Sequence, residues 1–159
     1  MDEKGPMAGG VNQRALVAMT PEEVDAFLAE RHNMTMCTLN HDQTIHAVAM
    51  WYGFLEGRLA FETKEKSQKA QNLRRDPRMT VLIEAGERYE ELRGVEVVGH
   101  AEVETDPERM WAVAVSVYER YYRTYDESAR EFVQAMLKKR LVATLRVERV
   151  VSWHHRKLP

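Results

Sequence analysis

Hydrophobic and polar positions divide the chain into an unpatterned start and a patterned remainder. Residues 1–19 are interrupted by glycine and proline and show little apolar periodicity, which predicts a loosely held N-terminal tail. The patterned part, residues 20–159, is expected to form a single domain around one core.

The first predicted element of this domain is a helix over residues 21–31. The string Thr20-Pro21-Glu22-Glu23 supplies a capping hydroxyl, a proline in the first turn and a glutamate three residues after the cap. Val24, Phe27 and Leu28 then recur at the three- and four-residue spacing of one helical face. The helix is therefore expected to lie against the core and to plug a sheet.

Segments rich in β-branched and aromatic residues fill much of the remaining chain. They are separated by turn-forming residues such as Asn40-His41-Asp42 and Glu56-Gly57, and the first three are expected to form an antiparallel meander. The later ones alternate apolar and polar positions, as strands with one buried face do. The six predicted strands cover residues 34–39, 45–54, 58–63, 79–84, 95–104 and 141–153.

Three more helices are predicted between these strands. A short polar helix over residues 67–75 ends at Asp76-Pro77, because a residue before proline is disfavoured in the helical region. Asp106-Pro107 opens a longer helix, and another follows around Phe132 and Leu137, so that the two form a helical hairpin. Together these elements favour a mainly β, α+β fold: a six-stranded antiparallel barrel with flanking helices.

Composition excludes several classes of protein. The formal net charge of -2 lacks the basic excess that drives nonspecific nucleic-acid binding, so we expect no nucleic-acid partner. No apolar run reaches the length of a membrane span, and the start lacks the apolar core of a secretory signal. We therefore expect a cytoplasmic protein. Its one cysteine, Cys37, cannot form an internal disulfide and is expected to be a buried, inert thiol.

Common catalytic signatures are absent from the sequence. It contains no dinucleotide-binding GxGxxG after a strand, no Walker-type phosphate loop, no HExxH and no GxSxG. None of the six histidines pairs with carboxylates at ligand spacing on a predicted helix, so no metal site is expected.

The region between the third and fourth predicted strands carries the clearest candidate chemistry. The strand delivers Thr63 and Lys64 into a loop, and Ser67 and Lys69 open the helix that follows. Free N–H groups at a helix start, a capping hydroxyl and converging ammonium groups suit a phosphate without a glycine-rich loop. A solvated polar helix whose lysines maintain solubility is the alternative interpretation.

Three motifs occur in order and carry a resemblance to a known family. They are the strand Ala47-Val48-Ala49-Met50-Trp51-Tyr52, the run from Thr63 to Pro77, and the ending Ser152-Trp153-His154-His155-Arg156-Lys157-Leu158. From about Thr20 to Leu158 the chain resembles the flavin/deazaflavin oxidoreductases of the split β-barrel superfamily, which includes the pyridoxamine 5'-phosphate oxidases. It is most similar to the actinobacterial branch associated with coenzyme F420, a 5-deazaflavin hydride carrier. The resemblance implies a split β-barrel of the FMN-binding type.

The resemblance also implies which residues bind the cofactor. Thr63, Lys64, Ser67 and Lys69 would hold its phosphate, which agrees with the physical interpretation above, and Asn72 would brace the loop from the helix.

The strand at Ala49, Met50 and Trp51 would run beside the tricyclic ring and offer backbone N–H and C=O groups to its pyrimidine edge. Met50 and Trp51 are alternatively plain core or interface residues.

The C-terminal segment combines an aromatic ring with positive charge. Trp153, Arg156 and Lys157 are expected to line the cofactor or substrate pocket, where the ring packs on a flat ligand and the cations face an anionic group. A frayed basic terminus is the alternative. His154 stands where the family pattern commonly has an aspartate.

These observations predict a homodimer with two shared cofactor sites that transfers a hydride between coenzyme F420 and an unsaturated or conjugated organic substrate. Its catalytic residues are unknown, and Tyr52, His46 and His154 are candidate proton donors. Two alternatives stay open: an FMN-dependent oxidase or reductase resembling pyridoxamine 5'-phosphate oxidase, and a non-catalytic flavin or deazaflavin carrier.

Overall fold

Residues 12–159 are described by the computed structural model, and they form seven strands and five α-helices. The strands are β1 (Met34–Leu39), β2 (Ile45–Met50), β3 (Gly53–Leu55), β4 (Arg58–Lys64), β5 (Arg78–Ala85), β6 (Arg93–Glu104) and β7 (Arg140–His154). The helices are α1 (Gln13–Val17), α2 (Pro21–Ala29), α3 (Gln68–Arg75), α4 (Pro107–Tyr121) and α5 (Arg130–Leu137).

The strands form one curled antiparallel sheet in the order β2-β1-β5-β6-β7-β4-β3. This is the split-barrel α+β fold, which confirms the predicted fold class with seven strands in place of six. The two edge strands, β2 and β3, are consecutive in sequence and lie at opposite edges of the sheet. The barrel is therefore split at the point where the chain passes from one edge to the other.

The prediction of one strand over residues 45–54 is wrong for a physical reason. Tyr52 turns inward, is fully buried and donates its hydroxyl hydrogen to the Leu28 carbonyl at 2.8 Å. The next residue, Gly53, lies so close to α4 that an added Cβ would stand 2.7 Å from Ser116 Oγ. The chain leaves β1 at this point, so β2 and β3 do not pair and the predicted meander is interrupted.

The barrel interior is filled by apolar side chains from the sheet and from α2. Phe27 and Leu28 of α2 are buried there, and both halves of the predicted capping box, Thr20 and Glu23, are present. Helix α2 therefore plugs the barrel as the sequence predicts. On the outer face of the sheet, Val113 and Val117 of α4 pack on β4 and β7, and α5 packs against α4 as the predicted helical hairpin.

The N-terminal tail predicted for residues 1–19 lies only partly within the described residues. Of the described part, Val17 of α1 is buried, and the Met19 N–H donates to Ser152 Oγ at 3.0 Å. Residues 12–19 are thus held against β7 instead of hanging loosely. None of the described helices has both the length and the apolar character needed to cross a membrane.

Candidate functional site

A cavity of about 490 Å³ lies where the barrel is split. One wall is the end of β2, and the facing wall is the end of β4 together with the start of α3. Its lining residues are Asn33, Ala49, Met50, Trp51, Glu62, Thr63, Lys64, Ser67, Lys69, Val117 and Arg140. The structure thus brings together seven of the eight residues that the sequence analysis assigned to cofactor binding, although their binding role remains a prediction.

Strand pairing explains why β4 presents polar groups to this cavity. The short strand β3 begins at Gly53 opposite Ala60, and in the described part of the chain β4 pairs beyond Ala60 with β7 alone. The last residues of β4 therefore have one edge without a strand partner. The β4–β7 register places Lys64 opposite Arg140, which brings the first residue of β7 to the same wall.

The end of β4 and the start of α3 each contribute a hydroxyl group. Ser67 is the N-cap, and its Oγ accepts a hydrogen bond from the Ala70 N–H at 3.3 Å. Thr63 Oγ1 lies 3.4 Å from Ser67 Oγ, so the strand and the helix start present their hydroxyls side by side. Hydroxyls and backbone N–H groups at a helix start are suitable donors for an anionic oxygen.

Three cationic side chains, Lys64, Lys69 and Arg140, converge on the same wall. The pKa of Lys69 is lowered, first by burial and then by the nearby charges of Arg140 and Lys64. Like charges held together in a partly buried place repel one another, and an anionic group between them would relieve that repulsion. The charge distribution therefore fits a phosphate.

Glu62 is the one carboxylate among the residues lining this cavity. Its Oε2 lies 3.4 Å from Arg140 Nε, and its side chain is only 12% exposed. Burial raises the pKa of the Glu62 carboxyl, and the positive charge of Arg140 opposes that shift without cancelling it. The lining contains three cations and one carboxylate, so the cavity retains a net positive charge.

Asn72 is the assigned residue that does not line the cavity. It is fully buried, and its amide donates to Thr38 Oγ1 at 3.0 Å and to Asn40 Oδ1 at 2.9 Å. Its oxygen accepts from Gln68 Nε2 at 2.9 Å. Asn72 therefore ties α3 to the end of β1 and does not face the cavity.

Trp51 lies between this cavity and a neighbouring one of about 500 Å³ that is lined by Arg31, His32, Asn33, Trp51 and Tyr121. Its ring stacks on Tyr121 with the centroids 4.5 Å apart and the planes 5° apart, and 42% of the residue is exposed. Trp51 is thus a fixed aromatic surface at the mouth of the cavity and not a core residue.

The C-terminal residues assigned to the pocket lie elsewhere in the protomer. The indole of Trp153 covers Gly94, where an added Cβ would stand 2.4 Å from Trp153 Cζ2. Lys157 Nζ is 2.5 Å from Glu23 Oε2 and 2.9 Å from the Ala18 carbonyl oxygen, and Arg156 is exposed. None of the three lines the cavity, because β7 separates them from Arg140 by most of its length.

The three candidate proton donors also lie outside the cavity. The hydroxyl of Tyr52 is committed to the Leu28 carbonyl, and burial raises its pKa to about 12. His154 is at the far end of β7, and burial followed by the charge of Arg93 lowers its pKa. His46 is on β2 and does not reach the lining.

The thiol of Cys37 is half-buried, and burial raises its pKa, which makes it a weak nucleophile.

Within residues 12–159, no three or more His, Cys, Asp or Glu side chains are grouped so that they could hold a metal ion.

Sequence reasoning missed four lining residues: Asn33, Glu62, Val117 and Arg140. Arg140 follows Lys64 by 76 positions, and only the β4–β7 register brings the two together. Glu62 was visible as a charged residue in an otherwise buried strand, and a buried charge is a signal for function.

Comparisons with known proteins identify the family and the fold of the chain. Residues 20–154 match the family described as pyridoxamine 5'-phosphate oxidase. A solved structure of a conserved hypothetical protein, Rv2991 from Mycobacterium tuberculosis, is 42% identical, with a TM-score of 0.88 over 91% of each chain.

More distant solved structures share the fold. One named F420 reductase is 22% identical, with a TM-score of 0.62 over 82% of this chain and 98% of its own. A heme binding protein from Mycobacterium smegmatis is 21% identical, with a TM-score of 0.65 over 87% of this chain and 60% of its own. No curated protein matches the sequence significantly.

Proposed function

The chain belongs to the pyridoxamine 5'-phosphate oxidase family, and from this premise we propose that it is an oxidoreductase that binds coenzyme F420 in the cavity at the barrel split. The observation that carries the proposal is the convergence of three cations and two hydroxyls on a wall that holds a single carboxylate. Such a wall binds an anionic group, and the facing strand leaves room for a flat ring.

The phosphate end of the proposed site is formed by β4, α3 and β7. Lys69 and Arg140 would pair with the phosphate oxygens, and the hydroxyls of Thr63 and Ser67 would donate hydrogen bonds to them. Lys64, the last residue of β4, adds a third positive charge at the same end. The N-terminus of α3 adds backbone N–H groups and the positive end of the helix dipole.

The ring end of the proposed site is formed by β2. Ala49 and Met50 lie on an edge strand whose outer backbone groups have no strand partner among the described residues. They can bond the pyrimidine edge of a tricyclic ring while Trp51, held by Tyr121, limits its tilt. A deazaflavin supplies the hydride chemistry when bound, so the work of these residues is to orient the ring and exclude water.

Coenzyme F420 is preferred to FMN on two grounds. The sequence resembles most the branch of the family that is associated with F420, and one structure with the same fold is named F420 reductase. The anion site would serve either cofactor, since both carry a phosphate. Contacts with the edge of the ring must therefore distinguish F420 from FMN.

A non-catalytic carrier is the second candidate function, and a specific observation favours it. Tyr52, His46 and His154 all lie outside the cavity, so none of the expected proton donors reaches a ligand there. A carrier needs no proton donor, whereas an oxidoreductase could take its proton from solvent or from the substrate.

We further propose that two copies pack face to face and share two cofactor sites. The exposed ring of Trp51 and the open edge of the split would then be covered by the second copy. The C-terminal residues Trp153, Arg156 and Lys157 could reach a pocket only from that second copy.

Titration of the purified protein with F420 and with FMN tests the cofactor assignment, with the visible absorbance or fluorescence of each ring as the signal. We expect saturable binding of F420 and weaker binding of FMN. Turnover of the reduced cofactor with unsaturated substrates then separates an enzyme from a carrier. Tighter binding of FMN, or binding of neither cofactor, would contradict the proposal.

A further inference from the structure

Glu62 contradicts the otherwise cationic character of the cavity. It lies in the same wall as Lys64 and Arg140, and among the described residues its Oε2 has no hydrogen-bond partner. The contact with Arg140 Nε, at 3.4 Å, is an ion pair without hydrogen-bond geometry. A buried carboxylate oxygen in this state is costly to leave unsatisfied.

An ionised Glu62 and a bound anion would compete for the same cations. The guanidinium of Arg140 is the ion-pair partner of Glu62, and it also lines the cavity that would receive the anion. Two negative groups sharing one partly buried site cannot both stay ionised at low cost, because each disfavours the charged form of the other. Protonation of Glu62 removes this competition, because the neutral carboxyl no longer carries a negative charge.

We propose that Glu62 is a further ligand-binding residue, which receives an oxyanion group as the neutral carboxylic acid and donates its proton to an anionic oxygen as a hydrogen bond. Each anion bound then takes up one proton from solvent, and Arg140 is released from Glu62 to pair with the ligand. The ligand class is a phosphate or a similar oxyanion. This inference rests on the proposed anion site and adds that its affinity depends on pH.

Glu62 is the one acidic group of the lining that can take up this proton. Arg140 faces it from β7, Lys64 from its own strand β4 and Lys69 from α3, and all three side chains are basic. Helix α4 contributes Val117 to the lining, and β2 contributes Ala49 and Met50, which do not titrate. Burial raises the pKa of the Glu62 carboxyl, which favours its protonated form.

Calorimetric titration with inorganic sulfate tests the proposal, because sulfate keeps its charge throughout the range in which a carboxyl group of raised pKa titrates. Titrations in two buffers of different ionisation enthalpy count the protons taken up. At a pH where Glu62 is ionised in the ligand-free wild-type protein, we expect about one proton per sulfate and an affinity that falls about tenfold per pH unit.

Glu62→Gln is the decisive variant, because the amide can donate the same hydrogen bond without gaining a proton. We expect it to bind sulfate with no proton uptake and with an affinity that does not change with pH. Glu65→Gln is the matched control, since Glu65 lies on the same loop and does not line the cavity, and it should retain the uptake of one proton.

Two results would overturn this inference alone: sulfate binding to wild-type protein without proton uptake, or a Glu62→Gln variant that keeps the pH dependence. Absence of any sulfate binding to wild-type protein would instead remove the anion site itself, and with it the proposed function. The two failures are therefore distinguishable in one set of titrations.

Discussion

The positive charges at the two ends of β7 are paired with carboxylates to different extents. At its first residue, Arg140 joins Lys64 and Lys69 around a cavity that holds one carboxylate, Glu62. At its far end, Lys157 Nζ lies 2.5 Å from Glu23 Oε2.

The strand next to that far end repeats the paired arrangement. Arg93 holds both carboxylate oxygens of Glu30, at 2.6 and 2.7 Å. The positive charges at this end are therefore mostly used within the protein, where they connect the C-terminal segment and β6 to α2.

This difference separates a cation that stabilises the fold from a cation that is available to a ligand. A paired charge such as that of Lys157 on Glu23 gains little from an added anion, whereas Arg140, Lys64 and Lys69 share one carboxylate and gain most from one. The two ends look alike in sequence, since both are short basic stretches near a strand end.

Removal of residues 153–159 is expected to have the largest effect, and on stability more than on binding. It removes the Trp153 ring from Gly94 and the Lys157 contacts to Glu23 and Ala18. We expect the free energy of unfolding to fall by about 3 kcal/mol, as when a large aromatic side chain is truncated. Denaturant unfolding measures this loss.

Cofactor affinity, measured well below the melting temperature of the truncated protein, is the control. Unchanged stability together with weakened affinity would contradict the structural role of this segment. It would indicate instead that the C-terminus of a second copy lines the cavity.

Lys69→Ala is expected to weaken cofactor binding by about 1.5 to 3 kcal/mol, the range for a hydrogen bond to a charged group. The melting temperature should change little, because Lys69 makes no ion pair among the described residues. Lys66→Ala is the matched control, since Lys66 is exposed on the same loop and does not line the cavity. Equal affinities for the two variants in a fluorescence titration would remove the phosphate assignment.

Glu62→Gln is expected to change how stability depends on pH. Because burial raises the pKa of the folded Glu62 above the ordinary value of 4.5, its ionisation disfavours the native state. The stability contributed by protonated Glu62 is fully present below 4.5 and is lost as the pH rises through the folded pKa.

The ligand-free variant should therefore melt higher than wild type near neutral pH, and the two should converge in acid. Melting curves by circular dichroism across this range provide the measurement. A variant that melts lower at neutral pH would indicate that the Glu62–Arg140 ion pair stabilises the fold on balance.

Lys157→Met should have the smallest effect. The ion pair with Glu23 is partly exposed, with 28% and 40% of the two side chains accessible, and exposed pairs contribute little to stability. We expect a small decrease in melting temperature and no change in cofactor affinity. A loss of affinity comparable to that of Lys69→Ala would erase the distinction between the two ends of β7.

Local signals in the sequence were sufficient for most elements of the fold. The capping box at Thr20 and Glu23 and the N-cap at Ser67 are both present, because capping depends on residues only three positions apart. The helix stop at Asp76 is confirmed for the same reason. Residues Thr63, Lys64, Ser67 and Lys69 share one cavity because strand, loop and helix follow each other directly.

Features set by distant parts of the chain could not be predicted in this way. The break at Tyr52 depends on a hydrogen bond to Leu28 and on the close approach of Gly53 to α4. Arg140 joins the site only through the register of β4 and β7. The Lys157–Glu23 pair spans 134 positions, so the sequence could not show that Lys157 is paired within the protein. The basic C-terminus was therefore predicted to face a ligand.

A crystal structure of the protein with bound coenzyme F420 would show directly whether the cofactor binds in the cavity at the barrel split. We predict that the phosphate lies within hydrogen-bond distance of Ser67 Oγ, Lys69 Nζ and the Arg140 guanidinium, and that the ring lies against Ala49 and Met50. A phosphate bound at the C-terminal cluster around Lys157, or a ring outside the split of the barrel, would contradict the account.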